Sequence, residues 1–255
     1  MNPEGQIEAV SAWLSAVLEE DEGGKADGSQ AAEAETKAAA DADEPNLEVK
    51  PDLRAAETAA GPRHAPTVAA QPLRTFEPAT LPSGDPVQFY EFRSSRQLAD
   101  HLRLAIDAEG PVMDAVLFRR VARAWGLERT GHRIVERLRR LMPPDIRQTT
   151  DRAGTFYWPQ GCEPATWIDC RVATTTESSR RHVDEVSIEE ISALLLHVLR
   201  YSGASPRADA ARSVCRLLGM ARTPAESEAR VGMAIDRLLA MKAVYEVDGT
   251  VRLPP

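Results

Sequence analysis

The densest run of chemistry-bearing side chains lies between residues 119 and 140. It holds Arg119, Arg120, Arg123, Arg129, Arg133, Arg137, Arg139 and Arg140 against only Glu128 and Glu136. A guanidinium is permanently charged and presents a planar fork of donors that fits phosphate and carboxylate oxygens. The chemistry on offer is therefore anion recognition rather than proton transfer. Arg133, Arg137 and Arg140 recur at i, i+4 and i+7, so on a helix they form one row beside the apolar row of Ile134, Leu138 and Leu141. With the apolar row buried, the arginine row can face outward and meet phosphates or guanine edges. Arg119, Arg120, Arg123, Arg129, Arg133, Arg137 and Arg140 are the candidate nucleic-acid-binding residues. The competing reading is a solvated face with local ion pairs, such as Glu136 with Arg133 or Arg140.

Other chemistry has little support. The chain has no G-x-x-x-x-G-K-[ST] loop, no G-x-G-x-x-G, no H-E-x-x-H and no G-x-S-x-G. Its five histidines are scattered, and His197 sits among leucines. Cys162, Cys170 and His182 have spacings that match no zinc module. The expectation is a non-enzyme without metal or cofactor. Three cysteines without a C-x-x-C pair suit a reducing compartment, which points to the cytoplasm. No apolar run approaches the roughly 18 residues that a membrane helix needs.

The elements that must position the arginines follow from periodicity. Residues 6–19 form a short amphipathic stretch that needs a surface to lie on, its own core or a partner. Residues 20–86 are dominated by Ala, Glu, Asp, Gly and Pro and read as a disordered acidic linker. The strip 88–92 (QFYEF) is a strand or an anchor. Helices are expected over 96–108, 114–125 and 131–142, capped by Ser94 or Ser95 and by Thr130, with Gly126 at a left-handed helix end. A hairpin of IRQTT and TFYW closes this unit, 87–159. After a linker, 160–186, the order repeats in a second unit, 187–255. There Ser187-Ile188-Glu189-Glu190 reads as a capping box, with helices over 188–201, from Ser205-Pro206 to Gly219, and over 224–241. An Asp248-Gly249 hairpin ends the chain.

RVARAWGLERT (120–130) aligns with SVCRLLGMART (213–223), which suggests duplication. The expected fold is mainly α with small β-hairpins. It comprises two tandem winged-helix-like (helix-turn-helix) units behind a disordered N-terminal tail. The second unit lacks the arginine excess. Residues 222–248 carry four basic against five acidic side chains.

Three features in order resemble a bacterial domain of unknown function: Glu109-Gly110-Pro111-Val112, RVARAWGLERTGHRI (120–134) and Phe156-Tyr157-Trp158-Pro159. SIEEISALLLHVL (187–199), LLGMART (217–223) and AIDRLLAMKAVYEVDGTVRL (234–253) resemble the region that follows it. That domain usually ends large proteins that join a superfamily 1 helicase to an endonuclease related to very-short-patch repair. The resemblance spans about 96–253 and implies an accessory role in DNA processing or defence. Helicase and nuclease parts are absent from the resemblance, so neither activity transfers. Met113-Asp114 stands where the family commonly has a histidine and another polar residue.

Charge sharpens the expectation. The formal net charge is -8, yet residues 1–80 hold 16 acidic and 6 basic side chains, leaving 81–255 with 23 acidic and 25 basic. The expected function is a non-catalytic DNA-binding accessory module, with DNA met by the first unit and a helicase or nuclease as a possible protein partner. The alternative is a protein–protein adaptor that docks through the 6–19 helix and the second unit.

Overall fold

The computed structural model of the chain describes residues 73–254. The expected 6–19 helix and the linker up to residue 72 lie outside the described residues. The described part is mainly helical with small sheets. Helices α1 (Ser95–Glu109), α2 (Asp114–Ala124) and α3 (His132–Arg140) precede α4 (Ile188–Ser202), α5 (Arg207–Leu217) and α6 (Ala225–Ala240). The strands are β1 (Arg74–Thr75), β2 (Val112–Met113), β3 (Gln148–Thr150), β4 (Thr155–Tyr157), β5 (Arg171–Val172), β6 (Ala204–Pro206), β7 (Tyr245–Val247) and β8 (Thr250–Arg252).

The two halves share one plan. In the first, α1, β2, α2, α3, β3 and β4 follow in order, and the sheet runs β2-β4-β3, antiparallel throughout. In the second, α4, β6, α5, α6, β7 and β8 give an antiparallel sheet β6-β8-β7. The hairpins were expected. The third strand of each sheet was not, because two or three residues between helices carry no alternation to read.

The repeat extends to backbone bonds. Gly126 and Gly219 both take left-handed φ angles, +70° and +82°. The amide after each reaches back over the helix end, Leu127 N–H to Ala122 O and Met220 N–H to Cys215 O, both 3.0 Å. A side chain with Cβ is disfavoured at that φ, which accounts for glycine at both ends. The aligned Val121 and Val214 are both fully buried, one in each core.

Each half has its own apolar cluster. Leu98, Leu102, Ile106, Leu117, Val121, Trp125 and Leu138 anchor the first. Ile191, Leu194, Leu195, Val214, Ile235 and Leu238 anchor the second. Trp125 is buried whole because its indole N–H donates to His101 Nδ1 at 3.1 Å. Burial lowers the His101 pKa, which keeps the imidazole neutral and able to accept that bond.

Two segments read as linkers are structured. β1 pairs in parallel with β5, and Phe76 is buried, so the chain is ordered ahead of residue 87. Ala79 and Leu81 then pack on the first core. Residues 160–186 contribute β5 and buried Val172, Val183 and Val186 to the second core. Both were misread because their apolar residues are isolated and follow neither helical nor strand spacing.

The caps also differ in part. Ser187 Oγ accepts from Glu190 N–H at 3.2 Å, as expected. Thr130 is not the cap of α3, which starts after Gly131, and α1 continues directly from a 3-10 turn without a side-chain cap. Ser205-Pro206 lies in β6, so α5 begins one residue later than the cap pattern placed it.

Candidate nucleic-acid interface

The QFYEF strip is an anchor, not a strand. It forms two 3-10 turns, Pro86–Gln88 and Phe92–Ser94, and lies against α1 and α3. Phe89 is fully buried in the first core and meets Trp125 edge-on at 5.8 Å. Its neighbours point the other way: Tyr90 is 46% exposed and Phe92 93% exposed.

Arg137 fixes the strip to α3. Its Nε donates to Phe89 O and its Nη2 to Glu91 O, both at 2.7 Å, with Ser95 Oγ at 3.3 Å. These bonds spend the side chain on the fold. Arg137→Ala is expected to cost roughly 2 kcal/mol by freeing the strip, read as a lower urea midpoint. An unchanged midpoint would return Arg137 to the pool of ligand-binding groups.

Beside that clamp the strip and α3 enclose an open groove of about 460 Å³, lined by Tyr90, Phe92, Arg133, Arg140 and Leu141, with Glu136 and Arg137. Arg133 lies over the Tyr90 ring, 5.1 Å from its centroid. Arg140 is exposed and held by Glu136 at 2.7 Å. The groove therefore combines exposed aromatic faces with three guanidinium groups against one carboxylate.

The other candidate arginines divide sharply. Arg123 and Arg129 are exposed, on the last turn of α2 and on the α2–α3 connection. Arg119 pairs with Glu185 at 2.9 Å and Arg120 with the buried Glu109 at 2.5 Å. Arg119 thus reaches the second half of the molecule and Arg120 is held at the end of α1, and neither lines the groove. Arg139, outside the candidate set, sits 3.4 Å from Asp114.

Residues 87–136 match the model of DUF3320, a family described as a protein of unknown function. The matched stretch takes in the strip, α1, α2 and the first half of α3, so it includes Tyr90, Phe92 and Arg133. No curated protein and no solved structure matches the chain.

The expected hairpin tip is tied down. Arg230 of α6 reaches Asp151 at 3.1 Å, donates to Val183 O and Val186 O, and lies over the Phe156 ring. Sequence reasoning missed Arg230, Arg171, Arg181 and Glu190. Glu190 is fully buried and takes forked contacts from both Arg171 and Arg181, between 2.6 and 3.0 Å. Arg171 then donates to Glu109 O at 2.5 Å and so joins the two halves. As a capping-box residue Glu190 was expected to reach back to the helix start. Two guanidinium forks in a buried site outcompete that single bond.

Among the described residues no group of three His, Cys, Asp or Glu side chains is arranged to hold a metal ion. Cys170 is buried, and burial pushes its thiol up to about 12, which makes it a poor nucleophile. No described helix is long and apolar enough to cross a membrane.

Proposed function

We propose that this chain is a non-catalytic DNA-binding module whose two halves are winged-helix units. The first half holds nucleic acid in the groove between α3 and the 86–94 strip. The observation that carries the reading is the pairing, in one open groove, of exposed Tyr90 and Phe92 with Arg133 and Arg140. Aromatic faces accept any base by stacking, and guanidinium groups hold the phosphates between them. The helix–strand–helix–helix–hairpin order in each half supports the winged-helix assignment, with α3 in the place of a recognition helix.

The tethered hairpin argues for unpaired strands over duplex. A wing held by Arg230 is not free to follow a minor groove, whereas splayed bases can reach Phe92. The resemblance to the ends of helicase–endonuclease proteins fits an accessory role in DNA processing.

The test is fluorescence anisotropy of the full chain with single-stranded and duplex oligonucleotides across a salt series. Salt-dependent binding with a single-strand preference is expected, and Tyr90→Ala with Phe92→Ala should weaken single-strand binding by roughly 10-fold. Absence of binding to either form at low salt would sink the reading and leave the groove to a protein ligand.

A further inference from the structure

A second cleft, of about 100 Å³, opens where the two halves meet. Its floor is formed by Glu109 at the end of α1, Arg120 of α2, and Arg181. Its rim carries Arg119, Ser178 and Arg180, with Phe76 and Glu185 beside them. Four guanidinium groups face two carboxylates, an excess of two positive charges. The ion pair of Arg171 with Glu190 behind the floor leaves that excess unchanged.

Two buried polar atoms on the floor find no hydrogen-bond partner: Glu109 Oε2 and Arg181 Nε. Arg120 Nε lies 2.5 Å from Glu109 Oε1 and is satisfied by that carboxylate. Arg181 has spent its two terminal nitrogens on Glu190 and Arg171 O, and its guanidinium lies over Phe76 at 4.3 Å. Its Nε cannot turn away to find water elsewhere. Unbonded guanidinium N–H groups in a buried site are costly, so an occupant rich in acceptors is called for.

Water could fill about three positions in such a volume. It would leave the two excess charges uncompensated. A tetrahedral oxyanion supplies an acceptor to Arg181 Nε and carries the missing charge. Burial pushes the Glu109 carboxyl up, against the pull of Arg120 and the Ala79 N–H. A protonated phosphate oxygen can donate to the orphan Glu109 Oε2, so that oxygen also gains a partner.

We infer that this junction cleft is a phosphate site, taking either free phosphate or the terminal phosphate of a polynucleotide. It uses none of the groove residues, so it stands or falls apart from the function proposed above.

Phosphorus NMR of inorganic phosphate with the full chain tests it directly. Line broadening that saturates at millimolar phosphate is expected. The rim variant Arg180→Gln, at an exposed position outside both cores, should weaken that binding at least 5-fold while leaving the thermal midpoint in chloride unchanged. A second arm compares 5′-phosphorylated and 5′-hydroxyl oligonucleotides of one sequence. Tighter binding of the phosphorylated strand, lost in Arg180→Gln, assigns the site to a strand end. Binding of inorganic phosphate alone assigns it to the free ion. No saturable broadening, or broadening that Arg180→Gln leaves as it was, overturns the inference, whether or not oligonucleotides bind in the groove.

Discussion

Changing Arg123, Arg129, Arg133 and Arg140 together to Gln should weaken single-strand binding by roughly 10²- to 10³-fold at 0.1 M salt. All four are exposed; Arg133 and Arg140 line the groove, and Arg123 and Arg129 lie at the end of α2 and on the α2–α3 connection. Each phosphate neutralised on a single strand contributes about 0.7 to the slope of log affinity against log salt, so the variant should lose about 3 from that slope. The two curves should converge toward 1 M salt, where counterion release no longer favours binding. Arg222→Gln, a surface charge removed from the second half, provides the control and should change neither number much. Equal affinities and equal slopes for variant and parent would show that this face does not hold the strand. Thermal midpoints should stay close throughout, which separates this set from Arg137, whose loss acts on the strip.

The second large effect is on stability. Glu190→Gln is expected to cost about 3–5 kcal/mol, because two buried guanidinium groups lose their shared counterion. For a folded region of this size that is a fall of roughly 10 °C in thermal midpoint. The pH dependence has a defined sign. Burial alone would raise the Glu190 carboxyl, but Arg171 and Arg181 outweigh it and hold it down at about 2. A depressed folded-state value means that the stabilisation is complete above the unfolded value of about 4.5. It is lost as the pH falls from there toward 2. The parent should therefore destabilise steeply across that window, and Glu190→Gln should show a shallower acid limb. A variant with an unchanged midpoint and the same acid limb would mean that the junction holds without this carboxylate.

The function of the junction follows from its position. Arg171, anchored by Glu190 on the first turn of α4, grips Glu109 O at the end of α1. Arg230 on α6 holds the hairpin tip at Asp151. Two separate arginines thus set one half against the other, one at the end of α1 and one at the hairpin. Loss of Glu190 should loosen the phosphate cleft as well, since Arg181 would no longer be fixed.

The sequence by itself determined the helical framework, the repeated order of elements and the charge distribution. Apolar spacing marked α1 to α6 to within a few residues, because a helix that buries one face must repeat its apolar residues at that period. Gly126, Gly219 and Asp248-Gly249 marked their turns because backbone conformations with positive φ strongly favour such residues. The fate of individual arginines was a tertiary matter. Arg133 and Arg230 each lie on the third helix of their half, yet one faces an open groove and the other is 5% exposed and bonded across the junction. Arg137 has the spacing of a ligand-facing residue and is consumed by two carbonyls from a segment 46 and 48 residues away. Local spacing fixes which side of its own helix a guanidinium leaves from. Whether it then meets solvent, a carbonyl or a carboxylate depends on what the rest of the chain packs beside it. Periodicity carries no record of that, since long-range contacts follow from how the two cores meet and not from any repeat along the sequence.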